Sequence, residues 1–315
     1  MAKHIIAVGA IYIDTILTLP HFPAEDEKLR ASKYVRRRGG NCGNAFEVLQ
    51  QLVEDDIKLH LISVFPNRAS ADYAFIRDSF KVSVDLSLSI HRDNSQVASS
   101  CYVFKSQETD SRTIVNYTEL KDMQCHEFID AVCKLSPAQD AFEGWFHFEG
   151  RTPDTLVECV KELRLIPQYS GFKISVELEN PSRVGLELVA AEADAVFFSR
   201  AWAEARGFKS AVECLKQNMA ATKEHALLCC TWGAAGASAV QKDGGEGIWC
   251  SVPAWKPELE NQSVVDTVGA GDTFIAGMLC GHCCQTSCWS LEQKLKYATD
   301  LAGRKVYEEG FAELS

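Results

Sequence analysis

Apolar and polar positions keep a steady rhythm after Pro137. Short apolar runs alternate with stretches of helical patterning. Ala195-Val196-Phe197-Phe198-Ser199 and Ala226-Leu227-Leu228-Cys229-Cys230-Thr231-Trp232 are continuous enough to be strands buried on both faces. Trp145-Phe146-His147-Phe148-Glu149-Gly150-Arg151 is a strand with its exit loop. Ile174 to Glu179 alternates, which puts Glu177 and Glu179 on one face. Thr155 to Leu165 and Ala211 to Thr222 have helical patterning between these runs. The alternation predicts βαβ units, a mainly parallel sheet, and ligand sites at the carboxyl ends of its strands. Arg151, Glu177, Glu179, Arg200, Trp232 and Gly233 stand at such ends.

The first part of the chain mixes two patterns. Ile5 to Ala10 and Leu59 to Phe65 are apolar and strand-like, and Gly39 to Leu52 opens and continues a helix. Four short extended stretches fall outside that rhythm: around Asp14, Tyr34 to Arg38, Gln96 to Phe104, and Arg112 to Tyr117. The last two flank the polar turn Lys105 to Ser111. They predict a small separate sheet. The expected division is a core of residues 1–11, 39–95 and 119–315, and a small sheet from 12–38 and 96–118.

Composition narrows the classes. The chain has 315 residues and a net charge of −11, which argues against a general nucleic-acid surface but leaves room for one local anion site. Arg36-Arg37-Arg38 therefore reads as a solvated edge or as partners for local acids. No apolar run reaches membrane length, and the N-terminal apolar run is too short for a signal peptide. An odd count of 13 cysteines then points to reduced thiols and a cytoplasmic protein. Cys280, His282, Cys283 and Cys288 match no standard zinc spacing, so core thiols are the preferred reading.

The chemistry concentrates in Ser263-Val264-Val265-Asp266-Thr267-Val268-Gly269-Ala270-Gly271-Asp272-Thr273-Phe274. Gly269, Ala270 and Gly271 let the backbone bend and approach a ligand. A helix starting there offers N–H groups to phosphate. Asp272 at that end is either a cap or a proton acceptor for an attacking hydroxyl. Asp14 is a lone acid among aliphatics, costly to bury without a ligand or partner. Asn41 and Asn44 follow Gly40 and share the first turn of a helix, where amides cap the helix or grip hydroxyls. Glu177 and Glu179 on one face suit a hard cation such as Mg2+ or its waters.

Val8 to Asp14, Gly39-Gly40-Asn41-Cys42-Gly43-Asn44 and the GAGD stretch together resemble the ribokinase-like (PfkB) carbohydrate kinases, over nearly the whole chain. The resemblance implies a three-layer α/β/α sandwich with a small β-sheet lid, here the small separate sheet. It implies an anion hole at Gly269, Ala270 and Gly271, and Asp272 as catalytic base. Asp14, Gly40, Asn41 and Asn44 would hold sugar hydroxyls, and Arg112 would lie near the phosphate-transfer cleft. Asp26 would reach the partner subunit's sugar site in a homodimer formed through the lid strands. ATP would lie near Trp232, Gly233 and Gly236, with Arg200 at the neighbouring strand end and the helix carrying Gly303 beside the adenine. Mg2+ would come with ATP. Many relatives hold a monovalent cation, K+, near the anion hole, and this sequence leaves that open.

Phe198-Ser199-Arg200-Ala201-Trp202 lacks the N-x-x-E motif of ribokinase itself. The blocks His147-Phe148-Glu149-Gly150-Arg151 and Val176-Glu177-Leu178-Glu179 favour the branch that phosphorylates ketohexoses, fructose to fructose 1-phosphate above all. Another sugar, a 2-keto-3-deoxy sugar acid or a nucleoside is the alternative acceptor. An inactive sugar-binding regulatory protein is a further alternative, opposed by the intact Asp272. No Walker A lysine follows the glycines, and no G-x-G-x-x-G follows the first strand, which argues against a dinucleotide oxidoreductase.

Overall fold

The computed structural model describes residues 3–80, 83–135, 143–245, 247–257, 263–284, 288–312 and 314. The chain opens with β1 (Lys3–Val8), β2 (Tyr12–Leu19) and β3 (Lys33–Gly39), then helix α1 (Asn41–Leu52). Next come β4 (Ile57–Ile62), β5 (Val64–Pro66), α2 (Ala71–Ser79), β6 (Val84–Asp85) and β7 (Ile90–Arg92). A hairpin of β8 (Ser100–Ser106) and β9 (Arg112–Tyr117) precedes α3 (Cys125–Val132). The alternating half follows: β10 (Glu143–Glu149), α4 (Pro153–Leu165), β11 (Lys173–Leu178), α5 (Leu186–Ala190), β12 (Ala195–Phe198), α6 (Arg200–Ala205) and α7 (Ala211–Asn218). It continues with β13 (Leu227–Thr231), β14 (Ala237–Gln241) and β15 (Ile248–Val252), and closes with α8 (Ala270–Cys283) and α9 (Leu291–Lys305).

Among the described residues the strands form a nine-stranded sheet in the order β15-β14-β13-β12-β11-β10-β1-β4-β6. It is parallel from β13 to β6, and β14 and β15 add antiparallel strands at one edge. Successive residues of a strand feed opposite faces. Ile5 and Ala7 join a core with α1, α2, α8 and α9, whereas Ile6 and Val8 join a second core with α3 to α7. Two helical layers on one sheet make the three-layer α/β/α arrangement that the family resemblance implies.

A separate four-stranded sheet runs β3-β2-β8-β9. Its outer strand, β9, is exposed along its whole length. The run Leu59 to Phe65 is not one strand as the pattern suggested. It breaks at Ser63, whose N–H donates to Ser89 Oγ and whose carbonyl accepts from Ile90 N–H, and β5 leaves the main sheet to pair with β7. Among the described residues no helix is long and apolar enough to cross a membrane.

Two glycines set helix starts that matter for the site. Gly40 precedes α1 at φ 100°, and a Cβ there would stand 2.2 Å from the Ala10 carbonyl oxygen. Gly269 precedes α8 at φ 81°, and a Cβ there would stand 2.3 Å from the Phe311 ring. Both demand a positive φ and the missing side chain that only glycine supplies without strain.

Candidate active site

A cleft of about 530 Å³ lies between the four-stranded sheet and the carboxyl ends of the main sheet. From the small sheet it takes Tyr12, Asp14, Arg37, Cys101, Lys105 and Arg112. From the main sheet and the following loops it takes Glu149, Arg151, Glu177, Glu179, Arg183 and Thr231. The starts of α1 and α8 contribute Gly40, Asn41, Asn44, Gly269, Gly271 and Asp272.

The asparagines do not cap their helix; among the described residues α1 has no side-chain cap. Asn44 Nδ2 donates to Asp272 Oδ2 at 2.8 Å, and Asn41 Nδ2 donates to Glu177 Oε2 at 3.0 Å. Arg38, buried behind them, donates to Asn44 Oδ1 at 3.1 Å and pairs with Glu47. Of the two readings the three arginines allow, a solvated edge or partners for local acids, the second holds: Arg36 pairs with Asp72, Arg37 with Asp14 and Asp266, and Arg38 with Glu47. Asp272 is likewise no cap. It is buried on the first turn of α8, facing the cleft.

Parallel pairing brings Glu149 opposite Glu177 at the ends of β10 and β11. Glu149 accepts from Ala10 N–H at 2.8 Å and from Arg151 Nε at 3.1 Å, with Arg183 Nη1 at 3.5 Å. Arg151 also donates to the Tyr12 hydroxyl at 2.5 Å. Burial, then the charges of Asp272 and Glu179, push the Glu177 carboxyl well above its ordinary value. Asp272 is pushed up to about 7, mainly by burial; the Asn44 hydrogen bond opposes this, and Glu179 and Glu149 add to it. Asp14 is also raised by burial, with Arg37 and Arg38 opposing. A cluster of carboxylates that repel one another suits a hard cation, and Mg2+ commonly uses one or two carboxylates, its own waters and substrate phosphates. Glu177 and Glu179 fit that donor set. Among the described residues no group of three or more His, Cys, Asp or Glu side chains is arranged to hold a metal ion.

The cleft thus gathers Asp14, Gly40, Asn41, Asn44, Arg112, Glu177, Glu179, Gly269, Gly271 and Asp272, with Ala270 between its two glycines. The residues expected around ATP stand just outside it. Arg200 follows the lining residue Ser199, and Trp232 and Gly233 follow Thr231. The Arg200 guanidinium lies 5.8 Å from the centre of the Trp232 ring, and Trp232 N–H donates to the Gly236 carbonyl at 2.7 Å. Gly303 is on α9, pressed against Trp255. Asp26 occupies an exposed turn at φ 61° and does not line the cleft of its own chain.

Sequence reasoning did not assign Glu149, Arg183, Arg37, Lys105 or Cys101 to the site. Glu149 had a signal in its block with Gly150 and Arg151. The others come from strand register and loop placement, which local patterning does not report.

The fold is that of ribokinase-like proteins. The structure superposes on ribokinase from Thermotoga maritima with a TM-score of 0.73 at 17% identity, covering 99% of this chain and 95% of that one. Ribokinase from Giardia lamblia gives 0.76 at 13% identity, covering 100% and 96%. Mouse (Mus musculus) ketohexokinase is 30% identical over 319 residues, 98% of each chain. The family description "pfkB family carbohydrate kinase" matches residues 2–313, and this chain belongs to that family. It is an ATP-dependent kinase that transfers phosphate to an alcohol group of a small-molecule sugar.

Proposed function

We propose that this kinase phosphorylates a ketohexose, D-fructose to fructose 1-phosphate. The observation that carries the reading is the Asn44–Asp272 pair, which aims a buried carboxylate into a cleft also lined by Asp14 and Asn41. Asp14 and Asn41 hold sugar hydroxyls, and Asp272 accepts the proton of the hydroxyl that attacks the γ-phosphate. The start of α8 at Gly269, Ala270 and Gly271 faces the moving phosphoryl oxygens with the positive end of a helix. Arg112 approaches the same phosphates from β9. Arg200, Trp232, Gly233, Gly236 and Gly303 frame the nucleotide. Glu177 and Glu179 would hold Mg2+ or its waters, and the ion would supply neutralisation of the triphosphate charge. The ketohexose assignment is supported by the full-length similarity to mouse ketohexokinase and by the absence of the N-x-x-E motif at Phe198 to Trp202.

Residues 12–38 and 96–118 act in this reading as a lid over the sugar. A second copy covers the exposed face of β9, forms a homodimer, and receives Asp26 beside its sugar site.

The test is an acceptor panel with MgATP, read as ADP release: D-fructose, D-ribose, D-glucose, 2-keto-3-deoxygluconate and adenosine. Phosphorus NMR of the product locates the ester. D-Fructose as best acceptor with the ester at C1 is expected. An ester at C6, or preference for another acceptor, rejects the ketohexose assignment and leaves the base in place. No turnover of any acceptor favours the regulatory-protein alternative.

A further inference from the structure

The β2–β3 register sets Asp14 directly opposite Arg37. Arg37 Nε lies 3.9 Å from Asp14 Oδ2, and Arg37 Nη1 lies 3.5 Å from Asp266 Oδ2. One guanidinium thus spans an acid on the small sheet and an acid of the loop that leads into α8. The three side chains are 13%, 20% and 4% exposed for Asp14, Arg37 and Asp266, so water screens them little.

Asp266 in turn anchors its loop. Its Oδ1 accepts from Val268 N–H at 3.0 Å, one residue before Gly269. Its carbonyl accepts from Lys305 Nζ at 2.9 Å, and its Oδ2 lies 3.2 Å from the same ammonium, which is fully buried. The series Asp14, Arg37, Asp266, Lys305 alternates in sign from the sugar side of the cleft to the base of the phosphate-binding loop.

The neighbouring arginines are committed elsewhere. Arg36 donates to Asp72 at 2.9 Å and lies over Phe75, and Arg38 holds Asn44 and Glu47. Arg37 alone of the three faces the cleft.

We propose that Arg37 is a positioning residue that couples sugar occupancy to the order of the phosphate-binding loop. The proposal rests on the kinase reading above. When sugar hydroxyls donate to Asp14, they take up part of the negative charge that Arg37 faces there. The guanidinium then shifts its share toward Asp266 and holds Val268 and Gly269 in place for the phosphates. A ligand shifts such an arrangement only through a difference in interaction between the two states, and Arg37 supplies that difference. Sugar therefore raises nucleotide affinity, and nucleotide raises sugar affinity by the same factor.

The experiment is calorimetric titration of the non-hydrolysable analogue AMP-PNP with Mg2+, without and with saturating D-fructose. Wild-type protein is expected to bind the analogue about fivefold or more tighter with sugar present, the lower end of typical couplings. Arg37→Gln is expected to bring that ratio close to one. Arg37→Lys keeps the charge but loses the two-ended reach, and its ratio is expected between the two. Arg36→Gln removes the same charge from the same strand and is expected to keep the wild-type ratio. An unchanged ratio in Arg37→Gln overturns the proposal, as does a wild-type ratio of one. If Arg37→Gln does not fold, Arg37→Lys decides, and full wild-type coupling there overturns it. Direct titration of D-fructose separates the two readings: no binding to wild type fails the ketohexose reading, and D-ribose then takes its place in the coupling measurement.

Discussion

Asn44 Nδ2 donates to Asp272 Oδ2 at 2.8 Å, joining the first turn of α1 to the first turn of α8 across 228 residues of sequence. The contact favours the ionised carboxylate, while burial favours the protonated one. The balance leaves Asp272 poised to take a proton near neutral pH, where general bases are most effective.

Replacing Asp272 by Asn keeps size and an acceptor oxygen for Asn44 but removes the proton acceptor. Asp272→Asn is expected to lower kcat by about 10²–10⁴-fold, the usual worth of general-base catalysis. AMP-PNP affinity should change little. Steady-state kinetics and calorimetry check both, and near-wild-type turnover on every accepted sugar would eliminate the mechanism.

The raised Asp272 value also sets two opposite pH dependences. A base works ionised, so kcat/KM should fall as pH drops through about 7. Stability runs the other way. The folded value lies above the ordinary 3.8, so the native state holds this proton more tightly than the unfolded chain. That contribution is complete below 3.8 and is lost as pH rises through about 7. Asp272→Asn escapes the loss. Its Tm minus that of wild type should grow more positive across this window and then level off. A difference that stays flat with pH contradicts the buried, protonatable carboxyl.

Asn44→Ala removes the donor that favours ionised Asp272 and leaves Arg38 Nη1 without its partner. The acid limb of the kcat/KM profile should move to higher pH. Unfolding stability should drop by about 1–3 kcal/mol for the unpaired buried groups. Urea unfolding and a pH–rate series measure the two effects, and an acid limb moving to lower pH would refute the assignment.

Asp14→Ala and Asn41→Ala should raise the sugar KM by the loss of hydroxyl partners, about 1–3 kcal/mol each, with the charged acceptor costing more. The ATP KM should move far less for Asp14→Ala, which lies on the small sheet. Equal effects on both substrates would remove Asp14 from the sugar contacts.

Ile114, Val115 and Tyr117 are each about half exposed on β9, an edge strand of the small sheet. Unpaired edges with apolar side chains favour association. Sedimentation velocity at micromolar concentration should show a dimer, and Ile114→Glu should shift it to monomer. A monomeric wild type would end the lid-to-lid reading.

Much of this was legible in the order of residues. The βαβ alternation follows from local apolar periodicity, and the four extended stretches outside it make up the four-stranded sheet. Gly269 to Asp272 and Gly40 to Asn44 carry their own backbone chemistry, because positive φ and a helix start are local properties. Local chemistry left undecided what the asparagines do: capping and ligand contact looked alike until Asn44 met Asp272 and Asn41 met Glu177. The same holds for Glu149, brought beside Glu177 by parallel register, and for Arg37, set between Asp14 and Asp266. Periodicity tells which face of an element a residue occupies. Which element lies opposite is decided by strand order and by helices packing on both faces of the sheet. Groups distant in sequence then meet in one buried cleft, where burial first, and the neighbouring carboxylates after it, push Asp272 and Glu177 upward.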